Sequence, residues 1–435
     1  MMGNVFLSEQ NVKQAETFIN DYFFYLHEQW EKGFVSFRYY TDTLITVADT
    51  YPFLSSAEKW EEMGYYLCGG IKEELETQGV YRNVLGMLGG LGKQAFAVNL
   101  YSKQTGNLNS FSNTLNKLLL DKATEKAESL SRSENTFATD YDAIGGISGI
   151  LNYLLDFEWD KGVKEKLEKM ARYLVSLTHC HNYQGNEIMN FHIPKDNLFL
   201  DVEKKKYPNG NFNFGLSHGM VGPLIALCKA WAKGIWVDGM DEAVDTLFSI
   251  YETFYIKRNG VAFWPTCLSL ESYLIGNCTA KDTQQSRASW CYGNVGIARG
   301  LQRAAKHQGN ITRVKKYSEY LANIIDQPVE NFRLSNPCLC HGYASVMAIA
   351  MAADMDQPNP RLTRSMNRLF TEALLVMSGT KETPYWNGSH FDIDLIIKDY
   401  FEDDTSFLQG PGGLVLALLN VMHPGLEFGR LLMIQ

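Results

Sequence analysis

One pattern recurs along the chain: a glycine, two or so residues, a second glycine or small residue, then an almost uniformly apolar stretch with helical spacing. It opens "GMLGGLGKQAFAVNL" (86–100), "YDAIGGISGILNYLL" (141–155), "GLSHGMVGPLIALCKA" (215–230), "CYGNVGIARGLQRA" (291–304), "CHGYASVMAIAMA" (340–352) and "FLQGPGGLVLALLNVM" (407–422). Between these lie segments with charge on one face, such as "WDKGVKEKLEKMARYLVSL" (159–177), "VKKYSEYLANII" (314–325) and "NPRLTRSMNRLFTEALLVM" (359–377). A helix apolar all round must be buried on every side, and a half-polar one only on its inner face. Each unit therefore reads as a hairpin of one inner and one outer helix.

Closing such hairpins into a ring buries both kinds of helix and leaves no exposed end. An open solenoid would need polar capping repeats, and the last copy is as apolar as the others. The expected fold is all-α, an α/α toroid of six to seven helical hairpins in one domain spanning 1–435. The internal repeat accounts for a length that would otherwise suggest two or three domains. Glycines at the inner-helix starts fit a place where helix ends converge, through unusual φ/ψ or close backbone approach.

One stretch breaks the rhythm. Residues 179–214, "HCHNYQGNEIMNFHIPKDNLFLDVEKKKYPNGNFNFG", read as an irregular insert with short strands around "NEIMNFHI" and "NLFLDV". It is either a lid or partner-docking element or a solvated connector. Its histidines, His179, His181 and His192, read as surface loop.

The net charge of −9, with no basic block beyond "EKKKYP", argues against a nucleic-acid partner. No stretch of roughly 18 apolar residues and no signal peptide occur, so no membrane span and a cytoplasmic location are expected. Eight cysteines in a chain of 435 residues are too sparse for a disulfide scaffold, which leaves free thiols or metal ligands.

The glycine openings carry chemistry. Asp142, His218, Cys291, Cys340 and His341 precede glycines of different repeats, and in a ring those points converge. Cys291, Cys340 and His341 form a Cys2His set with the fourth position open, the arrangement of a catalytic zinc site. Thiolates with imidazole favour zinc over magnesium or calcium. Neighbouring residues point about 100° apart on a helix, so Cys340 and His341 can share a metal only at a helix start. Cys338 as a fourth ligand would close the site and make it structural. Cys68, Cys180, Cys228, Cys267 and Cys278 read as small core hydrophobes.

Two thiolate ligands leave a zinc ion better suited to holding a third thiolate than to activating water, so the implied nucleophile is a substrate thiol. His218 can exchange the proton, since imidazole titrates near neutral pH. Asp142 can orient His218, and Arg287 can stabilise a developing oxyanion.

The set "YDAIGGISG", "LSHGMVG", "SWCYGNVG", "CLCHGYAS" and "FLQGPGG", in this order over nearly the whole chain, resembles the lanthipeptide cyclases, the LanC family. The resemblance implies a seven-hairpin toroid holding one catalytic zinc ion on Cys291, Cys340 and His341. It also implies active-site roles for Asp142, His218, Arg287 and Tyr292. The implied reaction, in lantibiotic biosynthesis, is Michael addition of peptide cysteines to dehydroalanine or dehydrobutyrine, giving lanthionine or methyllanthionine. The substrate is then a dehydrated ribosomal precursor peptide, leader and core, engaged in part by the insert. A stand-alone cyclase of this kind follows a separate dehydratase and can join it and an export transporter in a complex at the membrane.

Two features depart from the family pattern. Six glycine-opened copies stand where seven hairpins are implied, the seventh being a degenerate copy in "FWPTCLSLESYL" (263–274) or in the N-terminal segment. Pro411 occupies a first helical turn, where proline is tolerated. Competing readings are a protein prenyltransferase β-like thiol-alkylating enzyme, which usually uses an Asp, Cys and His set, and a non-catalytic zinc- or thiol-binding relative. A six-hairpin glycosidase would need a second carboxylate beside Asp142.

Overall fold

The computed structural model describes residues 7–33, 40–78, 84–133, 135–160, 162–279, 282, 287–378 and 406–435. Among the described residues, long helices alternate between an outer and an inner position. In chain order the pairs are α1 (Glu9–Glu31) and α2 (Tyr40–Thr50), α3 (Ala57–Gln78) and α4 (Leu91–Thr105), α5 (Asn109–Leu130) and α6 (Ile147–Leu154). There follow α7 (Lys164–Ser176) and α8 (Val221–Ala232), α9 (Met240–Thr253) and α10 (Asn294–Gln308), α11 (Ile311–Ile325) and α12 (Tyr343–Asp356), and α13 (Pro360–Met377) and α14 (Pro411–Met422). The burial follows the patterning. Every residue of α12 from Tyr343 to Asp354 is buried, whereas α9 buries Met240, Ala243, Val244, Leu247, Phe248 and Tyr251 at helical spacing. The last inner helix, α14, packs on the first, α2, and closes the toroid.

The helix α2 supplies the degenerate seventh copy, and "FWPTCLSLESYL" instead forms a strand and the short helix Leu270–Ile275. Helix α2 escaped the pattern because it has no glycine opening and its buried face carries Asp42, Thr43, Thr46, Asp49 and Thr50. All of these except Thr43, whose hydroxyl is buried without a partner among the described residues, are hydrogen-bonded inside the ring. Thr50 Oγ1 donates to Thr46 O at 2.7 Å, and the Asp49 carboxylate accepts the Glu427 and Phe428 N–H groups, both at 2.8 Å.

The loops entering the inner helices share one construction, an N–H bonded to the carbonyl seven residues earlier. The pairs are Gly92 N to Leu85 O (3.0 Å), Gly149 N to Asp142 O (3.3 Å), Met220 N to Asn213 O (3.0 Å), Gly296 N to Ser289 O (3.2 Å) and Ala344 N to Pro337 O (3.2 Å). Of the two reasons for glycine, close approach is the one that operates. A Cβ on Gly149 would sit 2.2 Å from Ala143 O, and one on Gly296 2.1 Å from Trp290 O. Helix-start glycines such as Gly146 and Gly293 have ordinary φ values of −96° and −90°.

Each loop is also bonded to the next around the ring. Leu88 N donates to Ile144 O (3.2 Å), Ala143 N to Ser217 O (3.1 Å), Ser217 N to Cys291 O (3.2 Å), Cys291 N to Cys340 O (3.3 Å) and Cys340 N to Leu408 O (2.9 Å). The circuit closes through Asp42. Its carboxylate accepts the Phe407 N–H at 2.6 Å and pairs with Lys93 at the start of α4. At the other end of the ring the C-terminal residues 428–434 fill the interior, with Trp290 Nε1 donating to Leu432 O (2.9 Å) and Arg299 Nε to Ile434 O (2.9 Å).

The insert 179–214 is anchored on the ring. Strands β1 (Cys180–Tyr183) and β2 (Asn186–Met189) form a hairpin through Gln184 and Gly185, both with positive φ, as a two-residue turn requires. Buried strand β3 (Asn211–Asn213) pairs with β6 (Cys267–Ser269), while β4 (Ile256–Arg258) and β5 (Val261–Phe263) form a separate hairpin. "NLFLDV" is not a strand. It leads into the short helix Asp201–Lys206, with acidic residues in its first turn, three lysines in its last, and Glu203 bonded to the Leu200 N–H. His192 is not a surface residue either: it is buried against the Tyr183 and Phe212 rings, with Nε2 on Asn209 O at 2.8 Å.

Replacing Asp42 by Asn removes the charge facing Lys93, whose side chain is only 14% exposed. Stranding a fully buried cation costs about 3–5 kcal/mol, and Lys93 is partly buried, so chemical denaturation should show a loss of about 2–3 kcal/mol. A change below about 1 kcal/mol would contradict the structural weight given to this closure.

Candidate active site

The loop before α12 explains how neighbouring residues come to share a target. Asn336 Oδ1 accepts the Cys338 N–H (3.1 Å), Asn336 O the Tyr343 N–H (3.1 Å) and Cys338 O the Gly342 N–H (3.0 Å). This tight turn lies outside the helix, so Cys340 and His341 escape the helical divergence of adjacent side chains. Cys291 comes from the loop before α10, docked by its N–H on Cys340 O. The ligand atoms of Cys291, Cys340 and His341 lie within 4.8 Å of one another, the one such group among the described residues, and can hold a metal ion.

The two sulfurs are hydrogen-bonded to each other. The Cys340 thiol hydrogen-bonded to Cys291, with His341 and Ser289 Oγ (3.8 Å) adding to it, draws the Cys291 thiol well below its usual range. Cys340 is correspondingly pushed up by the Cys291 sulfur. Cys338 stands outside the group: it is buried, and burial pushes its thiol up to about 11.

Beside this cluster is a second centre. Asp142 is fully buried, and its Oδ1 accepts the N–H groups of Ile144 (3.0 Å), Gly145 (2.6 Å) and Gly146 (2.8 Å). Its Oδ2 lies 2.6 Å from His218 Nδ1. A carboxylate has only acceptors to offer, so Nδ1 carries the hydrogen and Nε2 is left available. Ser217, the residue before His218, donates through both N and Oγ to Cys291 O, at 3.2 Å each. The His218–Asp142 pair and the sulfur cluster are therefore one backbone contact apart.

Two aromatic rings flank His218. The Tyr292 centroid is 5.7 Å away, its hydroxyl hydrogen-bonded to the Asn213 side chain and its pKa raised by burial. The Phe199 centroid is 5.0 Å away. Arg287 is exposed, four residues ahead of Cys291 on the same loop. The residues expected at the glycine openings thus meet, but at different registers of their loops: Asp142 begins its seven-residue span, Cys291 is two positions into its own, and His218 five. Sequence reasoning missed Phe199, Asn213, Ser217 and Ser289. The last three lie inside the recurring loops and were within reach of the repeat; Phe199 lies in the insert, where no periodicity marks it.

Asp142→Asn should unsettle the imidazole tautomer. Nitrogen-15 NMR of the parent protein should give His218 as the Nδ1–H form, and the variant a mixture; an unchanged pure tautomer would remove Asp142 as its determinant.

The geometry can be set beside known proteins. The family model described as "Lanthionine synthetase C-like protein" matches residues 45–432. The nisin biosynthesis protein NisC of Lactococcus lactis subsp. lactis is 26% identical over 306 residues, covering 70% of this chain and 66% of that relative, just short of two thirds of its length. The solved structure of nisin cyclase superposes with a TM-score of 0.79 at 20% identity over 98% of both chains, which establishes a shared fold. With all but its ends matched and the ring fold in common, the chain belongs to the lanthionine synthetase C-like family.

Proposed function

We propose that this protein is a zinc-dependent lanthipeptide cyclase, closing thioether rings in a dehydrated precursor peptide. The observation that carries the reading is the meeting of a Cys2His donor group with a carboxylate-held imidazole across one backbone contact. Family membership and the likeness to NisC and to nisin cyclase support it.

The donor set fits zinc: two sulfurs and one imidazole whose ligand atoms lie within 4.8 Å of one another. Cys291, Cys340 and His341 would hold the ion. When bound, zinc supplies a Lewis-acidic position at which a thiol loses its proton. A prenyltransferase-type Asp, Cys and His set is not favoured, because Asp142 is committed to three backbone N–H groups and His218.

The chain's own residues account for the proton traffic. His218, held through Nδ1 by Asp142, accepts the substrate thiol proton at Nε2. The sulfur attacks Cβ of dehydroalanine or dehydrobutyrine, a C–S bond forms, and the alkene electron pair moves to the α-carbon and its carbonyl as an enolate. The imidazolium then returns a proton to Cα, so no atom is gained or lost. Tyr292 walls the imidazole on one side, and Arg287, four residues before Cys291, would offset enolate charge. The acceptor alkene must arrive ready-made, so dehydration of the peptide precedes this step.

The decisive experiment is incubation with a dehydrated, cysteine-containing precursor peptide and zinc. Thiols reactive to an alkylating reagent should disappear at unaltered mass; persistence of alkylable thiols would refute cyclisation. Cys291→Ala should lose both stoichiometric zinc and activity, and full zinc retention would remove Cys291 from the ligand set. His218→Asn should retain zinc and slow cyclisation by about 10²–10⁴-fold. Loss of the metal instead would make His218 a ligand.

A further inference from the structure

We propose that Phe199, delivered by the insert, is a specificity-determining residue that packs on the acceptor alkene and favours dehydrobutyrine over dehydroalanine. This rests on the cyclase reading above. Phe199 is one of two rings against His218, its centroid 5.0 Å away with the planes tilted by 55°. The other, Tyr292, is largely buried and tied to Asn213, whereas Phe199 leaves 47% of its surface to solvent. A large aromatic side chain left half open has found no core to fill.

Nor is it loosely held. On one side Asn197 Nδ2 donates to Thr136 O (3.0 Å) and Leu198 is buried; on the other the Leu200 N–H donates to Glu203 Oε2 (3.3 Å). The backbone before Phe199 is anchored to the toroid, and the Leu200–Glu203 bond shapes the turn after it, so the side chain is presented to the base. That is the preorganisation expected of a contact made with substrate.

The chemistry of the substrate says what the ring would touch. A carbon protonated by His218 lies within hydrogen-bonding reach of the imidazole, and so close to a ring tilted against it at 5.0 Å. The acceptor is planar and apolar on its faces. Dehydrobutyrine differs from dehydroalanine by one methyl on the carbon that sulfur attacks, a group that gains from an apolar wall.

The test is internal competition. Two dehydrated peptides, identical except for dehydroalanine or dehydrobutyrine as the single acceptor, are mixed with the zinc-loaded enzyme, and cyclisation is followed by alkylation and mass spectrometry. The ratio of the two kcat/KM values does not depend on how much enzyme is folded or loaded. Phe199→Ala should shift that ratio toward dehydroalanine by about threefold to tenfold, and Phe199→Leu in the same direction by less. A ratio unchanged in Phe199→Ala overturns the inference; if that variant yields no active protein, an unchanged ratio in Phe199→Leu does so. Failure of the parent protein to cyclise either peptide would overturn the proposed function itself.

Discussion

The circuit of hydrogen bonds joining the inner-helix loops is the constraint on which the site depends. Each loop must turn tightly enough to start a buried helix and still present an N–H or carbonyl to its neighbour. Backbone groups that leave water need partners, and at the converging ends of buried helices only the adjacent loops can supply them. The glycines follow from that requirement. With Gly149 and Gly296 each backed against a carbonyl, a β-carbon has no room.

The same circuit places the chemistry. Cys291 and Cys340 are brought together because the N–H of one donates to the carbonyl of the other, and His218 stands beside them because Ser217 is bonded to Cys291 O. Asp142 belongs to both systems: its carbonyl accepts the Gly149 N–H within its loop, and its carboxylate gathers three further N–H groups before reaching His218. A carboxylate so committed cannot rotate, so the imidazole it holds inherits its orientation.

The alternation of all-apolar and half-polar helices, read from the sequence, carried the fold class and the ring. It also carried the convergence of Asp142, His218, Cys291, Cys340 and His341, because the glycine openings mark the loops that meet. Helix α2 stayed hidden because its buried face is made of threonines and aspartates, the aspartates being satisfied by partners remote in sequence, the N–H groups of Phe407, Glu427 and Phe428. The apolar residues of 197–202 suggest a strand, whereas the charges of Asp201, Glu203 and three following lysines set a helix from Asp201 onward. His192 looked like a surface residue because it lies in a loop-rich stretch, yet β3 pairs with a strand more than fifty residues away and draws that stretch into the core. Such contacts have no local signature.

A closed ring also divides labour in a way an open stack cannot. The side chains of the three candidate ligands meet at the seam between the loops of α10 and α12. That seam is itself tied by the Cys291 N–H on Cys340 O, as the other described seams are tied by backbone bonds and the Asp42 closure. The molecule's shape is thus guaranteed by those bonds. That leaves the two sulfurs and the imidazole exempt from holding the architecture together, and free to exchange partners in the course of a reaction.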